Sequence, residues 1–248
     1  MVHLMPLPGA PRFGGDLDAV LRRATADARA LEEGGVDAVL VENFGDVPFH
    51  PGALPPETIA ALTRAVATVR AVVALPVGVN ALRNDAAGAL AVCAATGASF
   101  IRVNVHTGSM YTDQGRIDGV AHRTLRDRER LAPYAAILAD VLVKHAAPPP
   151  GLSLREAARD AWERGLADAL IVSGSGTGEA ASVEDVRQVA GAVPAPVYVG
   201  SGVSADTVGA LLAEASGVIV GSALERNGVA GEPVEAARVA RLVEAARA

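Results

Sequence analysis

Cysteine, aromatic residues and long apolar runs are all scarce in this sequence of 248 residues. The one cysteine, Cys93, cannot form an internal disulfide, which is typical of a reducing compartment. Cys93 lies within an alanine-rich helical pattern, so we interpret it as a small core residue and not as a nucleophile. No apolar run approaches the roughly 18 residues of a membrane-spanning helix, and the first residues lack a signal-peptide pattern. We therefore expect a cytoplasmic protein without a membrane span.

Positive charge is also in short supply, with 22 Lys and Arg against 28 Asp and Glu and a net charge of −6. Nucleic-acid binding needs clustered Lys and Arg, so we expect no nucleic-acid partner, although one local anion site remains compatible with this balance. Half of the residues are apolar, which is enough for a sizeable core. No linker or composition break divides the chain, so the sequence predicts a single domain over 1–248.

Short apolar runs alternate with longer amphipathic segments along the whole chain. The predicted strands are 2–4, 38–43, 76–80, 100–105, 137–145, 169–174, 197–202 and 218–223. The predicted helices are 17–31, 59–69, 84–96, 124–135, 153–164, 183–192, 205–214 and 233–247, with Ser153, Ser182 and Ser204 expected as N-caps. Eight βα units in about 250 residues favour a single TIM (β/α)₈ barrel of the α/β class. The alternative is a doubly wound open sheet, for which the sequence shows no fingerprint.

The functional groups of such a barrel gather where its strands end. Strand alternation indicates which polar side chains face the mouth of the barrel. We predict catalytic roles for Glu42, Asp140 and Lys144. Substrate-binding roles are predicted for His3, Asn43, Asp46, Asn80, Arg102, Asn104 and Ser173.

Several of these residues allow a second interpretation. Arg102 and Asp140 lie on neighbouring predicted strands, so they could form a structural ion pair instead of a reactive one. Lys144 could bind an anion or a carbonyl group, take part in proton or Schiff-base chemistry, or be an ordinary rim lysine. His3 is either an acid–base group or a hydrogen-bonded histidine of the barrel floor. The segment 106–116 is either a binding loop or lid, or an ordinary surface loop.

Glycine-rich segments end the last three predicted strands. Glycine lets backbone N–H groups approach an anion, and the loops after strands seven and eight commonly bind phosphate in this fold. We predict a phosphate site at Gly174, Gly200, Ser201, Gly202, Gly221 and Ser222, which Gly176 and Gly178 could extend. The alternative is that these tight turns need glycine for their own geometry.

Metal ligands at tight spacing are absent from the sequence. His3, Glu42, Asp46 and Asp140 are the candidates that could converge on a divalent ion. We predict no cofactor and no required metal, and a divalent ion remains the alternative.

Several strings resemble the BtpA/SgcQ family, in order and over nearly the whole chain: HLMPLPGAPRF, GVDAVLVENFGDVPF, PVGVNALRNDA, FIRVNVHTG, LADVLVKHA, DALIVSGSGTG, PVYVGSGV and GVIVGSALE. The resemblance implies a ribulose-phosphate-binding barrel. It also implies either an activity like that of phosphoribosylanthranilate isomerase or a role in photosystem I biogenesis. The matching strings contain Glu42, Asn80, Arg102, Asp140 and Lys144.

Two functions follow as hypotheses. The first is an enzyme that acts on a small phosphorylated substrate, such as a sugar phosphate or a nucleotide-like compound, by isomerisation, lyase chemistry or glycosidic cleavage. The second is a non-catalytic assembly or stability factor for a membrane complex that acts through protein contacts. In either case we expect a homo-oligomer, a dimer or higher.

Overall fold

The computed structural model describes residues 1–174 and 181–248, so Gly176 and Gly178 lie outside the described residues. The strands in these ranges are β1 (Val2–His3), β2 (Val39–Glu42), β3 (Val77–Asn80), β4 (Phe100–Val103), β5 (Ser109–Thr112), β6 (Gly115–Asp118), β7 (Ala136–Val141), β8 (Ala146–Ala147), β9 (Ala169–Val172), β10 (Val197–Val199) and β11 (Gly217–Val218). The helices are α1 (Leu17–Glu33), α2 (Pro56–Arg70), α3 (Ala86–Thr96), α4 (Ala121–Leu131), α5 (Leu154–Arg159), α6 (Val183–Ala190), α7 (Val208–Leu212) and α8 (Ala236–Arg247). A π-helical turn, Asp160–Arg164, continues α5.

Eight parallel strands form one curled sheet in the order β1-β2-β3-β4-β7-β9-β10-β11. This order follows the chain from first to last, whereas a doubly wound sheet reverses direction at a switch point. The amino group of Met1 donates a hydrogen bond to the carbonyl of Val220, 2.8 Å away, between the two outer strands of the sheet. The predicted α/β fold of the TIM-barrel class is therefore confirmed.

Small side chains allow the helices to pack closely on this sheet. Ala24 and Ala28 of α1, Ala61 and Ala65 of α2, and Ala89 of α3 are all buried in one core with the strands. Close packing of alanine faces fills the interior at native density without large rings. This accounts for a core that contains few aromatic residues.

Two of the three expected N-caps are confirmed. Ser153 forms a complete capping box with Glu156, and Ser182 accepts the backbone N–H of Asp185. The prediction for Ser204 is wrong, because α7 begins at Val208 with Thr207 as its N-cap. The backbone N–H of Ser204 donates to Oγ1 of Thr207 at 3.0 Å, so the residues before α7 form a turn of their own.

The region around the fifth parallel strand differs most from the prediction. That strand, β7, ends at Val141 and not at residue 145, because Leu142 adopts φ 53° and leaves the extended conformation. The hairpin β5–β6 begins within the predicted loop 106–116 and extends to Asp118, and β8 pairs antiparallel with β5. A second small apolar cluster beneath it consists of Val105, Met110, Ile117 and Val143.

No helix in the described ranges is both long and apolar enough to cross a membrane.

Candidate functional site

Four polar side chains form a row across the first four strands of the sheet. The strand register aligns His3 with Glu42, Glu42 with Asn80, and Asn80 with Arg102. Neighbouring strands lie about 4.8 Å apart, so aligned residues are close neighbours. All four side chains are buried at the carboxyl end of the strands. Strand alternation in the sequence predicted this grouping.

A cavity of about 270 Å³ opens beside this row. Its charged and titratable lining residues include His3, Glu42, Arg102 and Lys144. Its lining also contains residues of the two loops that follow β10 and β11, namely Gly200, Ser201, Gly202, Gly221 and Ser222. The cavity thus brings together predicted catalytic residues and five of the six predicted phosphate-binding residues.

Glu42 keeps one carboxylate oxygen without a close donor. Its Oε2 accepts a hydrogen bond from Nδ2 of Asn80 at 2.5 Å, while its Oε1 lies 3.8 Å from Nε2 of His3. Since a carboxylate only accepts, the amide of Asn80 must point its NH₂ group at Glu42. Oδ1 of Asn80 is left buried without a hydrogen-bond partner in the described chain.

Arg102 and Asp140 form a closed ion pair. Nη2 and Nε of Arg102 donate to the two oxygens of Asp140 at 2.9 and 3.1 Å, and Nδ2 of Asn104 donates to Oδ2 at 2.7 Å. Burial opposes the charged guanidinium, but Asp140 and Glu42 outweigh it and raise the pKa of Arg102. With both of its oxygens engaged and its side chain fully covered, Asp140 fits the structural alternative better than a reactive role.

Lys144 is the only lysine among the chain's 22 basic residues. It lines the cavity although β7 ends before it, and Nη2 of Arg83 holds its carbonyl oxygen at 2.6 Å. Its ammonium group forms no ion pair with a described residue. Burial and the nearby Arg102 lower the pKa of Lys144, and Glu42 partly offsets this effect. Because every other basic residue is an arginine, the single lysine was a signal in the sequence that Lys144 has a specific role.

Asn43 and Asp46 do not line the cavity. Asn43 donates to the carbonyl of Leu82 at 3.3 Å and accepts the N–H of the same residue at 2.7 Å. Asp46 accepts the N–H of Leu7 at 2.8 Å and Nδ2 of Asn43 at 3.0 Å, and burial raises its pKa. The two side chains connect the loops that follow β1, β2 and β3.

The remaining predicted residues lie at the end of β9. The N–H of Gly174 donates to Oγ of Ser201 at 2.7 Å, so this donor is already engaged. Oγ of Ser173 is buried without a hydrogen-bond partner in residues 1–174 and 181–248. Neither residue lines the cavity wall, but a side chain at Gly200 would meet Oγ of Ser173.

The two loops that follow β10 and β11 present free backbone donors. The N–H groups of Gly202 and Gly221 donate to no acceptor within the described chain. Gly202 adopts φ 66°, a conformation that favours glycine. Unpaired N–H groups beside a cavity are suited to an anion.

Glu225 is a site residue that the sequence analysis missed. This side chain is 1% exposed, and its Oε1 lies 2.7 Å from Nδ1 of His3. It follows β11 within the string VGSALERNG, which the sequence analysis examined only for its glycines and its first serine. Phe44 stacks on the ring of His3 with a centroid distance of 4.4 Å.

A second histidine, His106, lies away from the cavity. It is buried, and its Nε2 lies 2.8 Å from the carbonyl oxygen of Gly165. Its Nδ1 has no hydrogen-bond partner in the described residues. Burial lowers the pKa of His106.

A further cavity, of about 370 Å³, lies between the β5–β6 hairpin and the start of α3 and α4. Four of its charged groups form pairs, Arg116 with Asp118 and Arg123 with Asp127, and Asp85 accepts two backbone N–H groups. None of the predicted site residues lines it. Within the described residues, no three His, Cys, Asp or Glu side chains are arranged to hold a metal ion. The candidate site is therefore the first cavity.

Solved structures with similar folds include two enzymes. The chain superimposes on thiamine phosphate pyrophosphorylase from Pyrococcus furiosus with a TM-score of 0.60 at 17% identity, covering 95% of this chain and 91% of that one. It superimposes on (S)-3-O-geranylgeranylglyceryl phosphate synthase from Thermoplasma acidophilum, solved with sn-glycerol-1-phosphate, with a TM-score of 0.60 at 17% identity. This match covers 90% of this chain and 87% of that one. At this level of identity, the likeness shows the fold.

Sequence relatives are much closer. The photosystem I biogenesis protein BtpA of Synechocystis is 48% identical over 246 residues, which cover 99% of this chain and 86% of that protein. The sequence model of the BtpA family matches residues 1–248. The chain therefore belongs to the BtpA family.

Proposed function

We propose that this protein is an enzyme that binds a small phosphorylated compound in the 270 Å³ cavity and acts on it by acid–base chemistry. The observation that carries the proposal is that two kinds of group line the same cavity. Glu42 and the unpaired ammonium group of Lys144 are the first kind, and the free N–H groups of Gly202 and Gly221 are the second. The phosphorylated ligand of the Thermoplasma acidophilum neighbour supports the same ligand class.

The two kinds of group have separate roles in this proposal. The backbone donors of the β10 and β11 loops hold the phosphate group, joined by Ser201 and Ser222. Glu42 exchanges a proton with the substrate, and Lys144 stabilises the negative charge that develops. Oδ1 of Asn80, a residue that bonds Glu42 but does not itself line the cavity, accepts a hydrogen bond from water.

The first test is thermal unfolding with inorganic phosphate and then with a panel of sugar phosphates, nucleotides and nucleosides. A ligand at a hundredfold excess over its dissociation constant stabilises the folded state by about 2.7 kcal/mol. We expect stabilisation by phosphorylated compounds and none by the nucleosides. Lys144→Gln should weaken it, whereas Arg241→Gln, which removes an exposed charge on α8, should not. Equal stabilisation of both variants would remove Lys144 from the proposal.

A second candidate function is assembly or stability of a membrane complex through protein contacts. The relative that is 48% identical, a photosystem I biogenesis protein, supports it. A variant within the cavity distinguishes the two candidate functions, because Glu42→Gln changes the chemistry of the site without changing the outer surface. A cellular phenotype of Glu42→Gln with unchanged capture of partner proteins would count against this second candidate.

A further inference from the structure

The carboxylate of Glu225 is buried, and both of its oxygens have hydrogen-bond partners. Oε1 lies 2.7 Å from Nδ1 of His3, and Oε2 accepts the backbone N–H of Gly231 at 2.9 Å. Burying a charge costs free energy unless it is hydrogen-bonded, and here both oxygens are. The carboxylate therefore has one fixed orientation, which presents a lone pair to His3.

This orientation determines where His3 carries its proton. A carboxylate can only accept, so the ring nitrogen that faces it, Nδ1, must donate. In the neutral ring the other nitrogen, Nε2, then bears a free lone pair. The partner of Nδ1 thus selects one tautomer of His3.

The ring is also held in place on its other sides. Phe44 stacks on one face at an interplanar angle of 26°. A Cβ atom at Gly221 would lie only 2.7 Å from Cε1 of His3, so the ring occupies the space that this glycine leaves free. With its orientation fixed, Nε2 lies 3.8 Å from Oε1 of Glu42 beside the cavity.

Only one of the two ring nitrogens of His3 has a hydrogen-bond partner in the interior that the structure describes, and the ring borders the cavity. Nε2 of His3 makes no hydrogen bond within residues 1–174 and 181–248. His3 thus lies between the carboxylate of Glu225 and the cavity, and its unpaired Nε2 is on the cavity side.

We infer that Glu225 is a positioning residue that makes His3 a second proton-transfer group of the cavity, beside Glu42. Nε2 accepts a proton from a C–H or O–H bond of the bound compound, and the electron pair of that bond stays on the compound. The imidazolium then carries two N–H groups, one directed at Glu225, and it returns the proton in the second half of the reaction. This inference rests on the proposed function, because it assigns a role within the same site.

The tautomer can be measured without any substrate. We would label the five histidines with ¹⁵N and record long-range ¹H–¹⁵N correlations at a pH at which the rings are neutral. The variants His3→Gln and His106→Gln assign the two signals. We expect His3 to carry its proton on Nδ1 and His106, which faces a carbonyl oxygen, to carry it on Nε2. A wild-type His3 with its proton on Nε2 would overturn the inference.

The variant Glu225→Gln tests whether Glu225 determines the tautomer of His3. The single oxygen of the glutamine amide is needed by the N–H of Gly231, so its NH₂ group faces Nδ1 and forces the proton of His3 onto Nε2. The tautomer of His3 should reverse, while His106 keeps its own. Glu232→Gln is the matched control, since it removes an exposed carboxylate from the same segment. An unchanged tautomer in folded Glu225→Gln would overturn the role of Glu225.

A chemical probe then separates this inference from the proposed function. Diethyl pyrocarbonate acylates an unprotonated ring nitrogen, so His3 should react in the wild type and at least about tenfold more slowly in Glu225→Gln. Equal rates would contradict the inference. Inorganic phosphate should protect His3 in the wild type. Tautomers as expected without such protection would support the Glu225–His3 pair and count against the phosphate site.

Discussion

His3 and His106 are two buried histidines with opposite hydrogen bonding. His3 directs Nδ1 at a carboxylate and leaves Nε2 beside the cavity, whereas His106 directs Nε2 at the carbonyl of Gly165 and leaves Nδ1 enclosed in the protein. Both are under 10% exposed, so burial alone does not distinguish them. The difference lies in the partner and in the space around the second nitrogen. A histidine suited to proton transfer needs a fixed proton at one end and room at the other.

The largest effect expected from this comparison is on turnover. His3→Gln should lower kcat by about 10²–10⁴ for the phosphorylated compound that most stabilises the wild type, because the proton acceptor is lost. The glutamine amide can still donate to Glu225, so the fold should be retained. His106→Gln should leave kcat unchanged. Rate measurements with thermal unfolding of both variants check this, and equal losses would remove the distinction.

The carboxylates of Asp140 and Glu42 differ in the same way, because both oxygens of Asp140 are hydrogen-bonded and one oxygen of Glu42 has no close donor among the described residues. Asp140→Ala should destabilise the protein by about 3–5 kcal/mol, because it leaves the buried guanidinium of Arg102 without its partner. Glu42→Gln should cost about 1 kcal/mol or less, since the amide oxygen can still accept from Asn80. Urea unfolding of both variants measures the difference. A larger loss of stability in Glu42→Gln than in Asp140→Ala would show that Glu42, and not Asp140, is the structural carboxylate.

The smallest expected effect is on the pH dependence of stability. Burial lowers the pKa of His106 below 6.5, so between this value and the lowered one the unfolded chain binds a proton that the folded chain does not. The contribution of His106 is complete above about pH 6.5 and declines as the pH falls through that window.

Urea unfolding at several pH values tests this sign. His106→Gln should flatten the decline below pH 6.5, whereas exposed His122→Gln should preserve it. A wild type that becomes more stable as the pH falls through the same window would contradict the burial of a neutral His106.

The fold could be predicted because each parallel strand is a short apolar run between amphipathic segments. The row His3, Glu42, Asn80 and Arg102 could be predicted for the same reason, since side-chain alternation within a strand is local. The extent of β7 could not, because the left-handed backbone at Leu142 lies in an apolar run that resembles a strand.

Long-range contacts explain the rest of what the sequence left open. Glu225 and His3 are 222 positions apart, and no spacing rule connects them. Asn43 and Leu82 are 39 positions apart, so nothing local indicated that this side chain bonds a neighbouring loop and not a ligand. The β5–β6 hairpin resembled a polar loop because its apolar face needs Val143, which lies beyond the next helix and strand.

The single lysine gives the protein a built-in chemical reporter. An amine-directed reagent meets only one side-chain amine in the whole chain, and that amine lies in the cavity. The label at Lys144, measured on the peptide that contains it so that the α-amino group of Met1 is counted separately, therefore reports how accessible the cavity is. Any compound that fills the cavity can be recognised by how far it slows that labelling, before its identity or its reaction is known.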